Sequence, residues 1–248
     1  MTNGRPGATW WQERDDRLRG LSGEAGAPVL PDHVCALLDA VESAFADTGA
    51  HTPGWAGRPI DESPTEEEYS RCPDPGKFRI VPARIDAWVR VLVDRGWAQL
   101  DTERTVEQRG PHEYTTTTII LRPELEGTVP LTFSITDVTD SDATLTVDVS
   151  AGDPPVGLAE IPGCGCDACD SGSAALLEEL DQWVLSVVDG SLVVDPAAQL
   201  QIRTSFGGHG VGGASRRTTT ESPLFVAAPW SPGWSPLPVP SVDDSPFP

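Results

Sequence analysis

The chain has 248 residues, enough for one sizeable core or two small ones, and its 24 glycines and 24 prolines require that part of the length be loop and linker. Seventeen Lys and Arg against 38 Asp and Glu give a net charge of −21, a potential that repels phosphate and anionic membrane surfaces and excludes nucleic acid as a partner. There is no signal-type apolar leader and no apolar run near the roughly 18 residues of a membrane span, and five cysteines, three of them within six residues, do not read as a secreted disulfide framework; a cytoplasmic protein with reduced thiols is expected.

Residues 1–30 read as an N-terminal extension with at most one short helix around Trp10, Trp11 and the mixed-charge run from Glu13 to Arg19. From Val34, apolar residues at 34, 37, 38, 41 and 45 share one face of a 3.6-residue period, with Asp32 as N-cap and Gly49 as stop. His33, Cys35 and Glu42 on or near this helix are expected to be surface or packing residues. Ser63-Pro64-Thr65-Glu66 offers a capping box for a short helix that ends before Pro73, and the acidic run there is explained by the helix dipole. Pro82 is expected to open the next helix, carrying Ile85, Trp88, Val89 and Leu92 on one face and stopping at Gly96.

The period then changes to two. Val129, Leu131, Phe133 and Ile135 alternate with polar residues, as do Ala143, Leu145, Val147 and Val149, and the linker from Asp137 to Asp142 predicts a hairpin between them. Asp137, Asp140 and Asp142 are read as turn chemistry, because the segment lacks the glycine and distal glutamate of a calcium loop. Thr-rich stretches at about 99–106 and 114–121 complete a four-strand antiparallel meander. A helix follows over 173–188, with Leu177, Leu180, Val184 and Val188 on one stripe and Gly190 as stop, and Leu200 to Phe206 suggests a last strand. The glycine run 207–213 has no helix after it, so it reads as a hairpin loop rather than a phosphate cradle, with Arg216 and Arg217 solvated. The expected fold is therefore α+β: one domain over 31–221, with an antiparallel sheet of about four to six strands packed on two or three helices. A Pro-rich tail over 222–248 is expected to be mostly disordered, with one segment laid on the domain.

The segment that can carry chemistry is Cys164-Gly165-Cys166-Asp167-Ala168-Cys169. Its C-x-C-x-x-C spacing lets three sulfurs converge, and a helix N-terminus just after it would favour thiolate, the form needed in a metal ligand or nucleophile. Three readings stay open: a Gly-rich turn with packed thiols, a zinc site on Cys164, Cys166 and Cys169, or a redox or nucleophilic cysteine. A structural zinc site takes four ligands, and Asp170, His209, Cys72 or water are the candidates for the fourth. Asp170 or Ser171 is the expected N-cap of the helix that follows.

Tyr69-Ser70-Arg71 with Asp74-Pro75 and Phe78, then Pro130-Leu131-Thr132, then Cys164-Gly165-Cys166-Asp167-Ala168-Cys169-Asp170 together resemble an uncharacterised actinobacterial family catalogued as a domain of unknown function, over about Glu66 to Arg217. The resemblance implies a bacterial cytoplasmic protein and no established activity. With no convergent acid, base and nucleophile set in the sequence, the favoured expectation is a non-catalytic accessory or binding protein with a protein or small-molecule partner; the alternative is a cysteine- or zinc-dependent enzyme.

Overall fold

Five antiparallel strands in chain order form the main sheet of the computed structural model, which describes residues 9–20, 29–59, 61–139, 145–195, 201–210 and 225–240. They are β1 (Ala98–Arg109), β2 (His112–Pro123), β3 (Leu131–Thr139), β4 (Thr146–Ala151) and β5 (Val156–Ile161). Alternation decides the faces. Leu121, Leu131, Phe133, Val147 and Val149 are buried on one side, while Thr116, Thr118, Thr132, Ser134 and Ser150 stand half-exposed on the other. The predicted four-strand meander is β1 to β4. The sequence reading missed β5, whose alternation breaks after Leu158 and whose pairing with β4 shifts register between Val149 and Ser150.

Four helices are present among the described residues: α1 (Trp10–Gly20), α2 (Asp32–Thr48), α3 (Ile80–Asp94) and α4 (Ser173–Val188). Their apolar faces join the buried side of the sheet in one core that holds Leu37, Leu38, Ile85, Trp88, Leu180 and Val184. Trp11 of α1 is part of that core, and the Trp10 indole donates to Asp181 of α4 at 2.9 Å. Asp181 is fully buried and also accepts from Arg84 Nε at 3.0 Å, Arg84 Nη2 at 2.7 Å and the Trp88 indole at 2.7 Å. A buried carboxylate is tolerated because every lone pair it offers is used.

Several predicted helix ends move. The residue before α2 is Pro31, extended and without a side-chain cap, and Asp32 sits in the first turn. The capping box lies two residues later than expected. Glu68 accepts from the Thr65 amide at 2.7 Å and hydroxyl at 3.0 Å, and the helix is a single 3-10 turn, Glu66–Ser70. A second 3-10 turn, Pro75–Arg79, leads into α3, so Pro82 falls inside the first turn, where its missing amide breaks no helical bond. Gly96 ends α3 as predicted, at φ +69°, with its amide bonded to the Val93 carbonyl and the Trp97 amide to that of Leu92.

A second sheet runs in the order β8 (Gly207–Gly210), β7 (Gln201–Thr204), β6 (Val193–Asp195) and β9 (Phe225–Val226). The start of the predicted glycine loop is thus strand β8; Arg216 and Arg217 lie outside the described residues. The tail segment that follows β9 lies on the domain. Trp230 and Leu237 are buried, the Trp230 amide donates to the Val188 carbonyl at 2.9 Å, and Trp234 packs edge-on against Trp97 at 5.1 Å.

Candidate metal centre

The cysteine turn leaves β5 and precedes α4, so both of its ends are held by secondary structure. Cys164, Cys166 and Cys169 bring their Sγ atoms within 4.8 Å of one another, with Cys164 and Cys166 at 3.2 Å. Among the described residues this is the one group of three or more potential ligands with that convergence. Tetrahedral zinc with bonds of about 2.3 Å would space thiolates roughly 3.8 Å apart, inside the range these sulfurs span. Cys164 and Cys169 are exposed and Cys166 is half-buried, and none of the five cysteines forms a disulfide.

Thiolate stabilisation comes from a different source than expected. Cys166 precedes and Cys169 ends a three-residue 3-10 turn, Asp167–Cys169, and α4 starts only at Ser173, so the thiols do not sit on that helix's first turn. The Cys166 thiol is instead lowered by a hydrogen bond from Cys164, and then by bonds from Cys169 and from the backbone amides of Cys169 and Ala168. Cys169 is pushed up to about 11, because its proton is shared with Cys166 and Cys164. One negative charge is thus easily held by the cluster, and each further one is opposed by the first. A bound cation removes that opposition.

Four residues from other parts of the chain fix the turn. The Asp167 amide donates to the Arg71 carbonyl at 2.9 Å, and Arg71 Nε donates to the Asp167 carboxylate at 3.0 Å. Arg58 Nη2 reaches the Asp167 carbonyl at 3.5 Å and Glu68 Oε1 at 2.5 Å. That guanidinium, with the Thr65 amide and hydroxyl, holds the Glu68 carboxyl down at about 2. Asp170 accepts from the Trp55 indole at 2.9 Å, Lys77 Nζ at 2.5 Å and the Gly172 amide at 2.9 Å. Burial alone would raise the Asp170 carboxyl, but the bonds from Lys77, Trp55 and Gly172 outweigh it and lower it. Lys77 also lies over the rings of Trp55 and Phe78, at 5.4 and 5.1 Å.

Backbone contact completes the clamp. Ala56 and Gly172 form an isolated antiparallel bridge, and the Trp55 carbonyl accepts from the Ser173 amide at 3.2 Å. A Cβ on Gly57 would lie 2.1 Å from the Ser171 carbonyl oxygen, so only glycine allows the two strands of chain to approach this closely. Gly172, at φ +89°, is the residue before α4, in place of the predicted Asp170 or Ser171 cap.

The three predicted cysteines therefore converge. Asp170 and Cys72 do not join them: the Asp170 carboxylate is committed to Trp55, Lys77 and Gly172, and Cys72 packs against the core. The side chain of His209 lies outside what is described. Asp137 is in β3 and pairs with Arg79 at 3.1 Å, while Asp140 and Asp142 fall outside the described residues. Glu42 accepts from Arg84, the His33 ring packs at a tilt against Trp234, and half-buried Cys35 is raised by burial and by Asp15. The sequence reading missed Trp55, Arg58 and Lys77. The signal that could have found them was the glycine pair at 54 and 57 beside a tryptophan, and the block from Tyr69 to Phe78 in which Arg71 was already singled out.

A profile described as a family of unknown function, DUF6226, matches residues 41–232, more than half of the chain. The chain belongs to this family. The match extends beyond the stretch that carried the resemblance, taking in the C-terminal part of α2, the whole main sheet, the cysteine turn with its clamp, and the tail as far as Pro232, so the DUF6226 unit contains every residue that holds the cysteines in place. No curated protein and no solved structure matches the chain. No helix among the described residues is long and apolar enough to cross a membrane.

Proposed function

We propose that this chain is a non-catalytic binding protein that holds one zinc ion on the thiolates of Cys164, Cys166 and Cys169, with the fourth position open to water or to a ligand from a partner. The observation that carries this reading is the convergence of three sulfurs within 4.8 Å on a turn clamped by Asp167, Asp170 and Gly172. Preorganisation supports a metal over a packed turn: two of the three thiols are exposed, so they contribute little to the core, yet the chain anchors the end of the turn through the part-buried ion pair of Asp170 with Lys77. Soft thiolates select zinc or Cu(I) over magnesium or calcium. An accessory role is favoured over an enzyme because a cleft between the main sheet and the start of α3 is lined by Arg79, Asp86 and Arg104 among others and by no cysteine.

Elemental analysis of protein purified without a histidine tag, beside a Cys166→Ser variant, tests this. The expected result is close to one zinc per chain, lost in the variant, with a melting temperature that falls on chelation. Protein that takes up no zinc under reducing conditions, and whose melting temperature a chelator leaves unmoved, overturns the proposal.

A further inference from the structure

The buried face of the main sheet changes character along its length. Near the ends of β2 and β3 that join, it carries Leu121, Leu131 and Phe133. Towards the β1–β2 turn the same face presents Arg104 opposite Thr117, Thr117 opposite Ile135, and Thr115 opposite Asp137. Here the sheet and the start of α3 line a cleft of about 500 Å³. That volume lies in the range of small-molecule sites, roughly 300 to 1,000 Å³.

Two opposite charges line the cleft without neutralising partners among the described residues: Asp86 of α3 and Arg104 of β1. The other charged pair in its wall, Arg79 and Asp137, is already satisfied at 3.1 Å. Partial burial raises the Asp86 carboxyl with nothing to offset it. Thr115 and Thr117 add hydroxyls, and Ile135 and Leu145 an apolar floor.

From this juxtaposition we propose that the cleft binds a small zwitterion of the amino-acid class, with its carboxylate on Arg104 and its ammonium on Asp86. A guanidinium fork suits a carboxylate, and a carboxylate on the opposite wall suits an ammonium. A neutral zwitterion also meets no long-range barrier from a chain of net charge −21, whereas a simple anion does. The site is separate from the cysteines, and its ligand does not depend on the metal reading.

Titration calorimetry with the L-α-amino acids, β-alanine, γ-aminobutyrate, simple carboxylates and simple amines provides the test, using the full chain. At least one zwitterion is expected to bind, with singly charged analogues about tenfold or more weaker. Arg104→Gln and Asp86→Asn should each weaken that zwitterion by about tenfold or more, while melting temperatures do not fall, because neither side chain has an ion pair to lose among the described residues. The proposal is overturned if no zwitterion in the panel saturates the wild-type chain at millimolar concentration, if carboxylates or amines bind as well as zwitterions, or if neither substitution weakens binding.

Discussion

Replacing Asp170 by Ala removes the contact that ties the cysteine turn to the rest of the fold. The carboxylate accepts three donors, the Trp55 indole, Lys77 Nζ and the Gly172 amide, and its side chain is 13% exposed against 14% for that of Lys77. Alanine leaves an ammonium with little solvent, an indole N–H and an amide unpaired, and breaking one side of such a pair costs about 3–5 kcal/mol. For a domain of this size that is a fall of roughly 10 °C in melting temperature. Asp170→Asn keeps an acceptor for Trp55 and Gly172 and loses the charge and the acceptor for Lys77, so it should fall by about half as much, and Lys77→Met in the same chain should recover part of it. The sign with pH also follows. Asp170 is lowered in the fold, so its contribution is present above the ordinary carboxylate range and is lost as pH falls through its folded value; the gap between wild type and Asp170→Ala must close in acid. Differential scanning fluorimetry from pH 3 to 8, with zinc content measured in parallel, checks both. A shift below about 1 °C for Asp170→Ala at pH 7, about 0.3 kcal/mol on the same scale, would mean that the carboxylate is solvated and the clamp reasoning is wrong.

Gly57→Ala should lower zinc retention and stability together, by about 2 kcal/mol, because its Cβ would meet the Ser171 carbonyl oxygen at 2.1 Å; unchanged stability in chemical denaturation would refute the close approach. Asp181→Ala should be the most damaging single substitution in the core, about 4 kcal/mol or more, since it strands the Arg84 guanidinium and the indoles of Trp10 and Trp88; denaturation midpoints check this, and a loss under about 1 kcal/mol would contradict it. Asp189 is 1% exposed and burial pushes its carboxyl up from 3.8 to about 7, so the fold keeps a proton that the unfolded chain has released. Its stabilising share is complete below pH 3.8 and is lost as pH rises towards 7, by at most about 4 kcal/mol; Asp189→Asn should therefore be more stable than wild type at pH 8 and not at pH 4, and an equal effect at both would refute the assignment.

Elements with a strong period and an unambiguous stop were legible in the sequence. α4 occupies Ser173–Val188 as its apolar stripe predicts, β3 and β4 follow from two-residue alternation and a polar linker, and β1 and β2 from their Thr-rich stretches. What was not legible depended on contacts distant in sequence. The α4 cap moved to Gly172 because the Trp55 backbone pairs with this stretch, which no local rule for Asp or Ser caps can register. β5 was hidden by a register shift, and α1 could not be docked from sequence because its anchor, the Trp10 indole on Asp181, spans 171 positions.

The candidate centre divides along the same line, and the division bears on the chemistry. Its thiols are local, so spacing alone pointed to the convergence of Cys164, Cys166 and Cys169. Its rigidity is non-local. Asp167 and Asp170 lie between and just after the thiols, and Asp170 was expected to serve as spare ligand or cap, yet each carboxylate pairs with a cation on a distant segment, Arg71 or Lys77. Two carboxylates beside three thiolates would build up charge at the site if left unpaired. Paired outward, they become struts, and the amides of Ala168 and Cys169 are left to favour the Cys166 thiolate. On the zinc reading proposed above, affinity would depend as much on Trp55, Arg71 and Lys77 as on the sulfurs, because these residues hold the turn in its converged form.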